Sequence, residues 1–523
     1  MKNAIIILFV LLGELMYAQT IDFPKEFIGY RLYNTSNSEF DDGILLSGTK
    51  ANNFDNESHG YGIVKKLDVN GNDLWEKLIG IVPPPAWSTT TNVTQTMDGG
   101  YVVVGWVRRV GTGLGTDVFV IKLNACGEME WQRIFSSDED QESLNIYEIE
   151  DGSFYFEINQ WEMDVDPNKR IWVFKLDSNG NTLWKKYYAD YDPWPGGGEM
   201  INEFIPDKND DFVMSGWYYY QDPDGDSTML WIRPLVIKID TAGNEIWHNI
   251  MGINEYLVAY NLGAVADSLG SVFSSGQKFY PYQAIVNKVD SNGNTVFIKE
   301  LPLSTKASAA YDISWLNDTT FYIIVGSQDS LEVVNHMVSY YLYKLDENAS
   351  VIDSAFVTDS AVWYSPHTLV TNDNKIVLSD YELNIGPDNW SEIWKFKPNL
   401  EYDSTYTQPQ VYDTMCPYPI TNDTIPLDTT MVIRLEHLWE TLKPMSIFPN
   451  PARDRLTISI NIVKWQERLI KVTDLNGHEI LSEAIAPGRA KHEVDISSWP
   501  PGIYVFSIFE QGVLLQTEKV VVY

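Results

Sequence analysis

The sequence predicts an all-β protein, with a seven-bladed β-propeller over residues 27–407 and a small C-terminal β-sandwich over residues 443–523. A phrase made of Lys, an apolar residue, Asp, a Gly turn and a Trp recurs every 50 to 63 residues. That interval is typical of a propeller blade or a similar repeat. A second marker, a polar turn followed by an apolar run, recurs equally often, and helical periodicity is nearly absent.

The first marker reads as the end of one strand, a tight turn and the start of the next strand. Asn and Gly in the turn tolerate the positive φ that a short hairpin requires. We expect the Trp at the end of the marker to be buried between adjacent sheets. Four complete copies begin at Lys66, Lys122, Lys175 and Lys238 and end at Trp75, Trp131, Trp184 and Trp247, and reduced copies begin at Lys288, Lys344 and Lys395.

The second marker precedes each copy of the first and indicates where the second strand of a unit begins. Its copies start at Asp41, Asp98, Asp151, Asp210, Leu269, Asp318 and Asp373. Equal counts of the two markers predict seven units, each with four strands. The third strand is apolar on both faces, as in residues 171–174, which is typical of a sheet stacked between two neighbours.

The hairpin with its terminal Trp resembles the outer hairpin of quinoprotein-type propellers, and it approaches the Asp box of sialidases. It fits neither closely, because Gly lies three positions after Asp and Trp lies four positions after Gly. The resemblance therefore implies a propeller blade and no particular activity.

Composition excludes some partners. The chain has 523 residues and a formal net charge of −35, which disfavours nucleic acid because phosphate binding needs clustered Lys and Arg. Two cysteines, Cys126 and Cys416, are too few for a disulfide framework. Cys126 lies in a repeat turn and Cys416 beyond the last repeat, so whether they pair stays open.

The N-terminal residues read as a secretory signal peptide over residues 1–18. Lys2 supplies the positive charge, residues 5–12 the apolar core, and Ala18 a cleavage site. Later residues contain no apolar run long enough for a transmembrane helix, so we expect the mature chain to be exported.

Residues 408–442 read as a linker because Pro409, Pro417, Pro419 and Pro426 interrupt a polar stretch. A short helix is expected over residues 431–441. Alternating strands follow, with turns at Asn476-Gly477 and Pro501-Gly502, and predict the β-sandwich.

The last segment is similar to the type A C-terminal sorting domain of the type IX secretion system. The matching blocks are Phe448-Pro449-Asn450-Pro451-Ala452, Val472-Thr473-Asp474-Leu475-Asn476-Gly477, Pro501-Gly502-Ile503-Tyr504-Val505 and Lys519-Val520-Val521-Val522. The resemblance implies that the type IX machinery recognises residues 443–523. It also implies a secreted or outer-membrane cell-surface location, and leaves release and surface anchoring both open.

Three tripeptides in the linker resemble the Asp-Ser/Thr-apolar acceptor of bacterial O-glycosylation in species with this secretion system. They begin at Asp413, Asp423 and Asp428. We expect the linker to be modified there.

Aromatic residues concentrate in the predicted long loops after the second and fourth strands of each unit, and we expect a site at that end. Aromatic faces framed by Asp and Asn suit a sugar, because rings stack on its CH groups while carboxylates and amides bind its hydroxyls. The alternative is that they fill gaps between blades. The predicted ligand contacts are Trp87, Trp161, Trp194, Tyr219, Trp231, Trp363 and Trp390.

A metal site is predicted in one of these loops. Asp222, Asp224 and Asp226 could supply oxygen ligands to Ca²⁺, with Gly225 at the turn. The EF-hand template fails because its twelfth position is Arg233 rather than Glu. A solvated acidic loop is the alternative.

Catalytic signals are weak. The seven histidines show no metal-ligand spacing, and no nucleophile elbow or phosphate loop is present. Carboxylates that point inward remain candidates for a polysaccharide hydrolase, and these are Glu148, Glu203 and Asp312. A loose arginine group of Arg108, Arg170 and Arg233 is a further candidate.

The sequence predicts a binding or adhesion module for an extracellular glycan or protein. The alternatives are a secreted polysaccharide-active hydrolase and a structural display protein without a small ligand. Converging carboxylates in the central channel would favour the enzyme, and exposed aromatics on the long-loop face would favour binding.

Overall fold

The computed structural model describes residues 21–51, 60–81, 87–108, 115–137, 140–161, 170–188, 198–221, 230–252, 258–279, 281–302, 307–317, 319–328, 338–360, 366–382, 390–410, 416, 418–430, 432–434, 445–460, 468–475, 477–485, 491–510 and 513–523. Every helix or strand element in these residues is a β-strand. Over the same residues, no helix exists that could cross a membrane. The predicted all-β class is confirmed.

Seven antiparallel sheets follow one another along the first part of the described chain. After β1 (Lys25–Ile28), sheet 1 contains β2 (Tyr30–Ser38), β3 (Gly43–Lys50), β4 (Tyr61–Leu67) and β5 (Asp73–Gly80). Sheet 2 contains β6 (Ser88–Gln95), β7 (Tyr101–Arg108), β8 (Thr116–Leu123) and β9 (Met129–Ser136). Sheet 3 contains β10 (Asp140–Glu142), β11 (Ile146–Glu148), β12 (Phe154–Trp161), β13 (Arg170–Leu176) and β14 (Thr182–Tyr188), with β10 and β11 both paired to β12.

The remaining sheets of this series repeat the pattern. Sheet 4 contains β15 (Gly198–Pro206), β16 (Phe212–Gln221), β17 (Leu230–Ile239) and β18 (Glu245–Ile250). Sheet 5 contains β19 (Ala259–Ala266), β20 (Val272–Lys278), β21 (Gln283–Val289) and β22 (Thr295–Glu300). Sheet 6 contains β23 (Ala307–Asn317), β24 (Thr320–Gln328), β25 (Val338–Asp346) and β26 (Val351–Ser360). Sheet 7 contains β27 (His367–Val370), β28 (Ile376–Glu382), β29 (Trp390–Phe396) and the early strand β1.

A buried apolar core lies between each sheet and the next. The pattern arises because the second and third strands carry apolar side chains on both faces, as Val102 and Val103 show by packing into different cores. Sheet 7 also packs against sheet 1, since Val377 and Ile393 share a core with Ile44 and other residues of sheet 1. Within sheet 7, β1 pairs antiparallel with β29, so an early segment completes the last sheet of the series.

The two repeated sequence markers meet in the structure as ion pairs. The Lys of the third strand reaches the Asp near the start of the second strand in sheets 1, 2, 3, 4 and 7. The pairs are Lys66 with Asp41 at 2.5 Å, Lys122 with Asp98 at 2.9 Å, Lys175 with Asp151 at 2.9 Å, Lys238 with Asp207 at 2.6 Å and Lys395 with Asp373 at 3.0 Å. In sheet 4 the partner is Asp207 rather than the predicted marker residue Asp210. In sheet 5 the equivalent Lys288 instead lies 4.4 Å from the centroid of the Phe273 ring.

The Trp residues of the first marker link neighbouring sheets, but most are less buried than expected. Trp75 is buried, whereas Trp131, Trp184 and Trp247 are half-buried. The Nε1 of Trp131 donates to the carbonyl of Ser178 in the next sheet at 2.9 Å. The three half-buried rings each lie against the turn glycine of the next sheet, which is Gly180 for Trp131, Gly243 for Trp184 and Gly293 for Trp247.

Residues that the sequence assigned to the linker pack on sheets 1 and 2. We call Cys416, 418–430 and 432–434 the strap. It contributes β30 (Asp423–Pro426), parallel to β5, and β31 (Val432–Arg434), parallel to β9. The strand at 432–434 differs from the helix expected over 431–441, because these residues pair with the edge of sheet 2.

The strap is fixed by covalent, ionic and apolar contacts. Cys416 forms a disulfide with Cys126, and Asp423 pairs with Lys77 at 2.8 Å. Ile425 and Leu427 are 6% and 5% exposed and belong to the core between sheets 1 and 2. Thr424 and Thr429, in two of the tripeptides expected to be glycosylated, are exposed, and the tripeptide at Asp413 lies outside the described residues.

The C-terminal residues form two further sheets. One contains β32 (Met445–Phe448), β33 (Arg455–Ile460) and β36 (Lys491–Asp495), and the other contains β34 (Arg468–Asp474), β35 (Glu479–Ile485), β37 (Gly502–Glu510) and β38 (Val513–Val522). Both contribute to one core, which includes Ile458 and Phe506 and shares no residue with the other cores.

Candidate functional site

A polar cavity of about 350 Å³ lies beside the first strands of the seven sheets. Each of these strands contributes at least one lining residue. The lining comprises Asn34, Thr35, Ser36, Asn37 and Glu39 from β2 and its turn, Asn92, Thr94 and Gln95 from β6, Asn145 and Tyr147 from β11 and the residue before it, Glu203 from β15, Ala264 from β19, Asp312 and Ile313 from β23, and His367, Thr368 and Leu369 from β27. The cavity lies towards the ends of the first strands that lead into the short turns. We expected a site at the other end, beside the long loops.

Bulges in the first strands direct side chains towards the cavity. Between Ile201 and Glu203 the register shifts by one residue, and a bulge of this kind changes the direction of the side chain that follows it. Gly216 makes room for the bulge, because a β-carbon there would collide with the carbonyl oxygen of Met200. Equivalent shifts precede Asn34, Asn92, Gly263 and Asp312.

Glu203 is a cavity-lining carboxyl group with a raised pKa. Its side chain is half-buried, since it borders the cavity while protein surrounds it on the other sides. Burial raises the pKa of Glu203 well above its ordinary value, and the nearby charges of Asp312 and Glu157 raise it further. A carboxyl group in this state donates a hydrogen bond at pH values where an exposed Glu is ionised.

Asp312 is held in one orientation by hydrogen bonds. The backbone N–H of Thr368 donates to its Oδ2 at 2.7 Å, and the backbone N–H of Ile313 donates to its Oδ1 at 2.8 Å. His367 Nδ1 lies 3.7 Å from Oδ2. Gly263 leaves space for this carboxylate, because a β-carbon there would come within 2.6 Å of Oδ1. The carboxylate therefore has a fixed position on the cavity wall.

Glu157 and Tyr147 complete the electrostatic group around Glu203. The pKa of Tyr147 is raised well above its ordinary value by burial and then by Glu203, Glu157 and Asp312. Burial raises the pKa of Glu157 to about 8. Glu203, Asp312 and Tyr147 line the cavity, and Glu157 is fully buried outside the lining.

The structure brings together two of the three predicted carboxylates. Glu203 and Asp312 both line the cavity, whereas Glu148 accepts a hydrogen bond from the backbone N–H of Met97 at 2.6 Å and does not line it. The predicted arginine group does not line the cavity either. Arg233 is buried and donates to the carbonyl of Gly252, Arg108 ends β7, and the side chain of Arg170 lies outside the described part.

The predicted aromatic contacts are mostly beyond the described residues. Trp194 and Trp363 lie outside them, and for four strand residues, Trp161, Tyr219, Trp231 and Trp390, the side chain is not described. Trp87 is 4% exposed and packs with Ala51, so its ring has almost no surface for a ligand. These ligand contacts therefore stay predictions. For Trp87, contact with a ligand would require the side chain to leave its buried position.

The predicted calcium loop with Asp222, Asp224 and Asp226 also lies outside the described residues. Within the described part of the chain, no group of His, Cys, Asp and Glu residues is arranged to hold a metal ion. The calcium site stays a prediction.

Sequence reasoning missed Asn34, Asn92, Asn145 and His367 among the lining residues. Asn92, Asn145 and His367 lie six residues before the Asp of the second marker, as the predicted Asp312 does, and Asn34 and the predicted Glu203 lie seven before it. A search six to seven residues before that marker would have collected them. The offset has a physical basis, because these residues lie on the first strand, or directly before it in the case of Asn145, at a similar distance from the short turn.

The cavity can recognise hydroxyl groups. Amides and hydroxyls both donate and accept hydrogen bonds, and a carboxylate accepts two from adjacent hydroxyls. The volume lies within the range of about 300 to 1,000 Å³ typical of small-molecule sites. None of the seventeen lining residues, all from the described part of the chain, is Lys or Arg.

Residues 446–523 match the family model described as the secretion system C-terminal sorting domain. This finding confirms the predicted sorting domain and supports secretion through the type IX system. It implies an interaction with that machinery and a secreted or cell-surface protein. No curated protein matches the chain.

Several solved structures are distantly similar. The extracellular domain of a hybrid two-component system from B. thetaiotaomicron has 9% identity and a TM-score of 0.37 over 96% of this chain and 59% of that one. The chain thus spans 59% of the length of that structure. A polysaccharide lyase has 7% identity and a TM-score of 0.43 over 69% of this chain and 89% of that one. Similarity this low says nothing about what the cavity binds.

Proposed function

We propose that sheets 1 to 7 form a closed seven-bladed β-propeller whose central cavity binds a hydroxylated ligand, such as a segment of an extracellular glycan. The observation that carries this proposal is that the first strands of all seven sheets line one polar cavity. In a propeller the first strand of every blade faces the central axis, so a shared cavity is what this architecture produces.

Hydrogen bonds between successive first strands support the closed arrangement. Ser36 Oγ in β2 donates to the carbonyl of Val93 in β6 at 2.5 Å, and Thr94 Oγ1 in β6 donates to the carbonyl of Ile146 in β11 at 2.8 Å. Asn37 Nδ2 in β2 donates to the carbonyl of Val370 in β27 at 3.0 Å. This last bond joins the first and seventh sheets.

The binding function is supported by the chemistry of the lining. Asn34, Asn92 and Asn145 are side-chain amides on three successive sheets, and Glu203 and Asp312 follow on later ones. A ligand in the cavity would meet hydrogen-bonding groups on several sides, as a sugar with several hydroxyls requires. Secretion through the type IX route gives the chain access to extracellular glycans.

A secreted polysaccharide hydrolase is the second candidate, favoured by the pairing of Glu203 with Asp312. Glycoside hydrolysis uses one carboxyl group that keeps its proton and one that is ionised. Glu203 has the raised pKa of such an acid, and burial is the main cause. Release of reducing ends from a bound glycan, lost in Glu203→Gln, would establish this candidate.

The first test is a glycan array with the mature full-length chain, with and without Ca²⁺. We expect saturable binding that weakens at least roughly tenfold in Asn34→Ala, since a lost hydrogen bond to a polar ligand group costs about 1.4 kcal/mol or more. The matched control is Asn348→Ala, an exposed Asn in a turn of sheet 6.

Equal binding by Asn34→Ala and the wild-type chain would place the site elsewhere, for example on the long loops. Binding that requires Ca²⁺ and disappears when Asp222, Asp224 and Asp226 become Asn would point to those loops. No binding to any glycan would favour a structural display protein.

A further inference from the structure

The charged side chains that line the cavity are mostly acidic. Glu39, Glu203 and Asp312 contribute carboxyl groups and His367 an imidazole, while no Lys or Arg of the described chain lines the cavity. Glu157 adds a fully buried carboxyl group close to Glu203. A ligand with a carboxylate, sulfate or phosphate would meet no opposite charge here, so the lining selects against anionic sugars.

Two features distinguish these carboxyl groups from an exposed acidic patch. Asp312 is oriented by three donors, the backbone N–H of Ile313, the backbone N–H of Thr368 and the hydroxyl of Thr368, which lies 3.1 Å from Oδ2. Glu157 is fully buried, and its Oε2 has no hydrogen-bond partner among the described residues. Burying a carboxyl group with one oxygen unpaired costs stability, which a structural role alone does not require.

The lining also carries neutral amides. Asn34, Asn92 and Asn145 belong to sheets 1, 2 and 3, while Glu203 and Asp312 belong to sheets 4 and 6 and Glu39 follows β2. A ligand in the cavity therefore meets both neutral donors and acceptors and carboxyl groups. This combination fits a molecule that carries hydroxyls and a cationic group.

Resting on the proposed function, we infer that the ligand is an amino sugar with a free amine, whose ammonium group binds beside Glu203 and Asp312 while its hydroxyls contact the lining amides. An ammonium group donates three hydrogen bonds and is attracted to carboxylates in a site sheltered from water. N-acetylation would remove the charge and add bulk at the same position.

The inference predicts that binding releases protons. In the free protein burial and neighbouring charge raise the pKa of Glu203, whereas an ammonium group beside it favours the ionised form. The other ionisable side chains around it are Asp312, Glu157, Tyr147 and, further along the lining, His367 and Glu39. Affinity for the amine should therefore rise with pH towards the raised pKa of Glu203. A neutral sugar that accepts a hydrogen bond from protonated Glu203 would show the opposite trend.

The test is calorimetry with the mature full-length chain and three disaccharides. They are a disaccharide of glucosamine with both amines free, the same disaccharide with both amines acetylated, and a disaccharide that contains glucuronate. We expect the free amine to bind at least roughly tenfold more tightly than the acetylated sugar. Titrations in two buffers of different ionisation enthalpy should show proton release that Glu203→Gln abolishes. The control is Glu148→Gln, an acid on β11 that does not line the cavity.

The outcomes separate this inference from the proposed function. Equal affinity for the amine and the acetylated sugar, or tightest binding of glucuronate, overturns the amine assignment and leaves glycan binding in place. If no disaccharide binds, the proposed glycan function fails as well. The comparison of ligands on the wild-type chain does not depend on whether Glu203→Gln or Asp312→Asn folds.

Discussion

At the scale of single residues, Glu157 is a fully buried carboxyl group, bonded to the backbone of the cavity-lining Asn145, that costs the fold stability. Its Oε1 accepts hydrogen bonds from the backbone N–H groups of Leu144 and Asn145, at 2.5 and 3.2 Å. Its Oε2 has no partner among the described residues, and the side chain is fully buried. Burial in such a site favours the neutral acid, which agrees with the direction of its pKa shift.

Glu157 should make the stability of the protein depend on pH. Its pKa in the folded chain is about 8, above the value near 4.3 of an exposed Glu. Between these values the folded state holds a proton that the unfolded state has lost, so the free energy of unfolding falls as pH rises. We expect the melting temperature of wild type to drop relative to Glu157→Gln from pH 5 to pH 8, by up to about 1.4 kcal/mol per pH unit in stability.

Calorimetry of both proteins at pH 5, 6, 7 and 8 measures this difference. Glu148→Gln serves as a comparison, because Glu148 is only partly buried and accepts a hydrogen bond from Met97. Parallel melting curves for wild type and Glu157→Gln across this range would show that the carboxyl group is ionised and paired in the folded chain.

Individual carboxylates could be predicted from the sequence, but their grouping could not. Glu203 and Asp312 are 109 positions apart in the sequence, and only the packing of sheets around a common cavity brings them close. The bulge before Glu203 depends on Gly216 on the neighbouring strand, so the direction of this side chain is set by two strands together. Period-2 alternation alone would misplace them.

At the scale of strands and turns, the two repeated sequence markers contact each other as ion pairs in sheets 1, 2, 3 and 7. Lys66 and Asp41 are both buried and lie 2.5 Å apart, which explains why a Lys on the third strand accompanies an Asp before the second. The markers are therefore not independent evidence for the number of units. The Trp residues follow a weaker constraint, since a ring under a Gly turn needs only one covered face, and the sequence pattern does not distinguish full from partial burial.

The strap is the element that sequence composition described least well. Its prolines and polar residues indicated a linker, but Ile425 and Leu427 alternate with exposed residues and reach the core between sheets 1 and 2. The pairing with β5 and β9 is parallel and long-range, and such pairing leaves little signal in the local sequence.

Removing the disulfide should loosen the strap without unfolding the sheets. The bond joins residues 290 positions apart, and loss of a long-range disulfide typically costs about 2 to 4 kcal/mol. For Cys126→Ser with Cys416→Ser we expect a lower melting temperature and faster hydrogen exchange over residues 418–430, while β7 and β8 stay protected. Wild-type exchange rates in this segment after the double substitution would show that Lys77, Asp423 and the apolar contacts suffice to hold the strap.

At the scale of the whole molecule, the chain separates a repeat region with its own cavity from a C-terminal part with its own core. The core of the last two sheets contains no residue of sheets 1 to 7. Residues 446–523 match the sorting-domain model, so the transport signal and the cavity proposed to bind a ligand belong to different parts of the chain. Such a division allows the C-terminal part to be removed after transport without disturbing the cavity.

Deleting residues 443–523 should therefore block export while leaving the repeat region folded. We expect the truncated chain to accumulate in the periplasm with the Cys126–Cys416 disulfide intact, because the strap ends at residue 434, before the deletion. Cell fractionation and non-reducing electrophoresis measure both properties, and the full-length chain is the control. Fusing residues 443–523 to an unrelated periplasmic protein should send that protein to the cell surface or the medium. Normal export of the truncated chain would show that the transport signal lies in the repeat region, and its degradation in the periplasm would show that the two cores depend on each other.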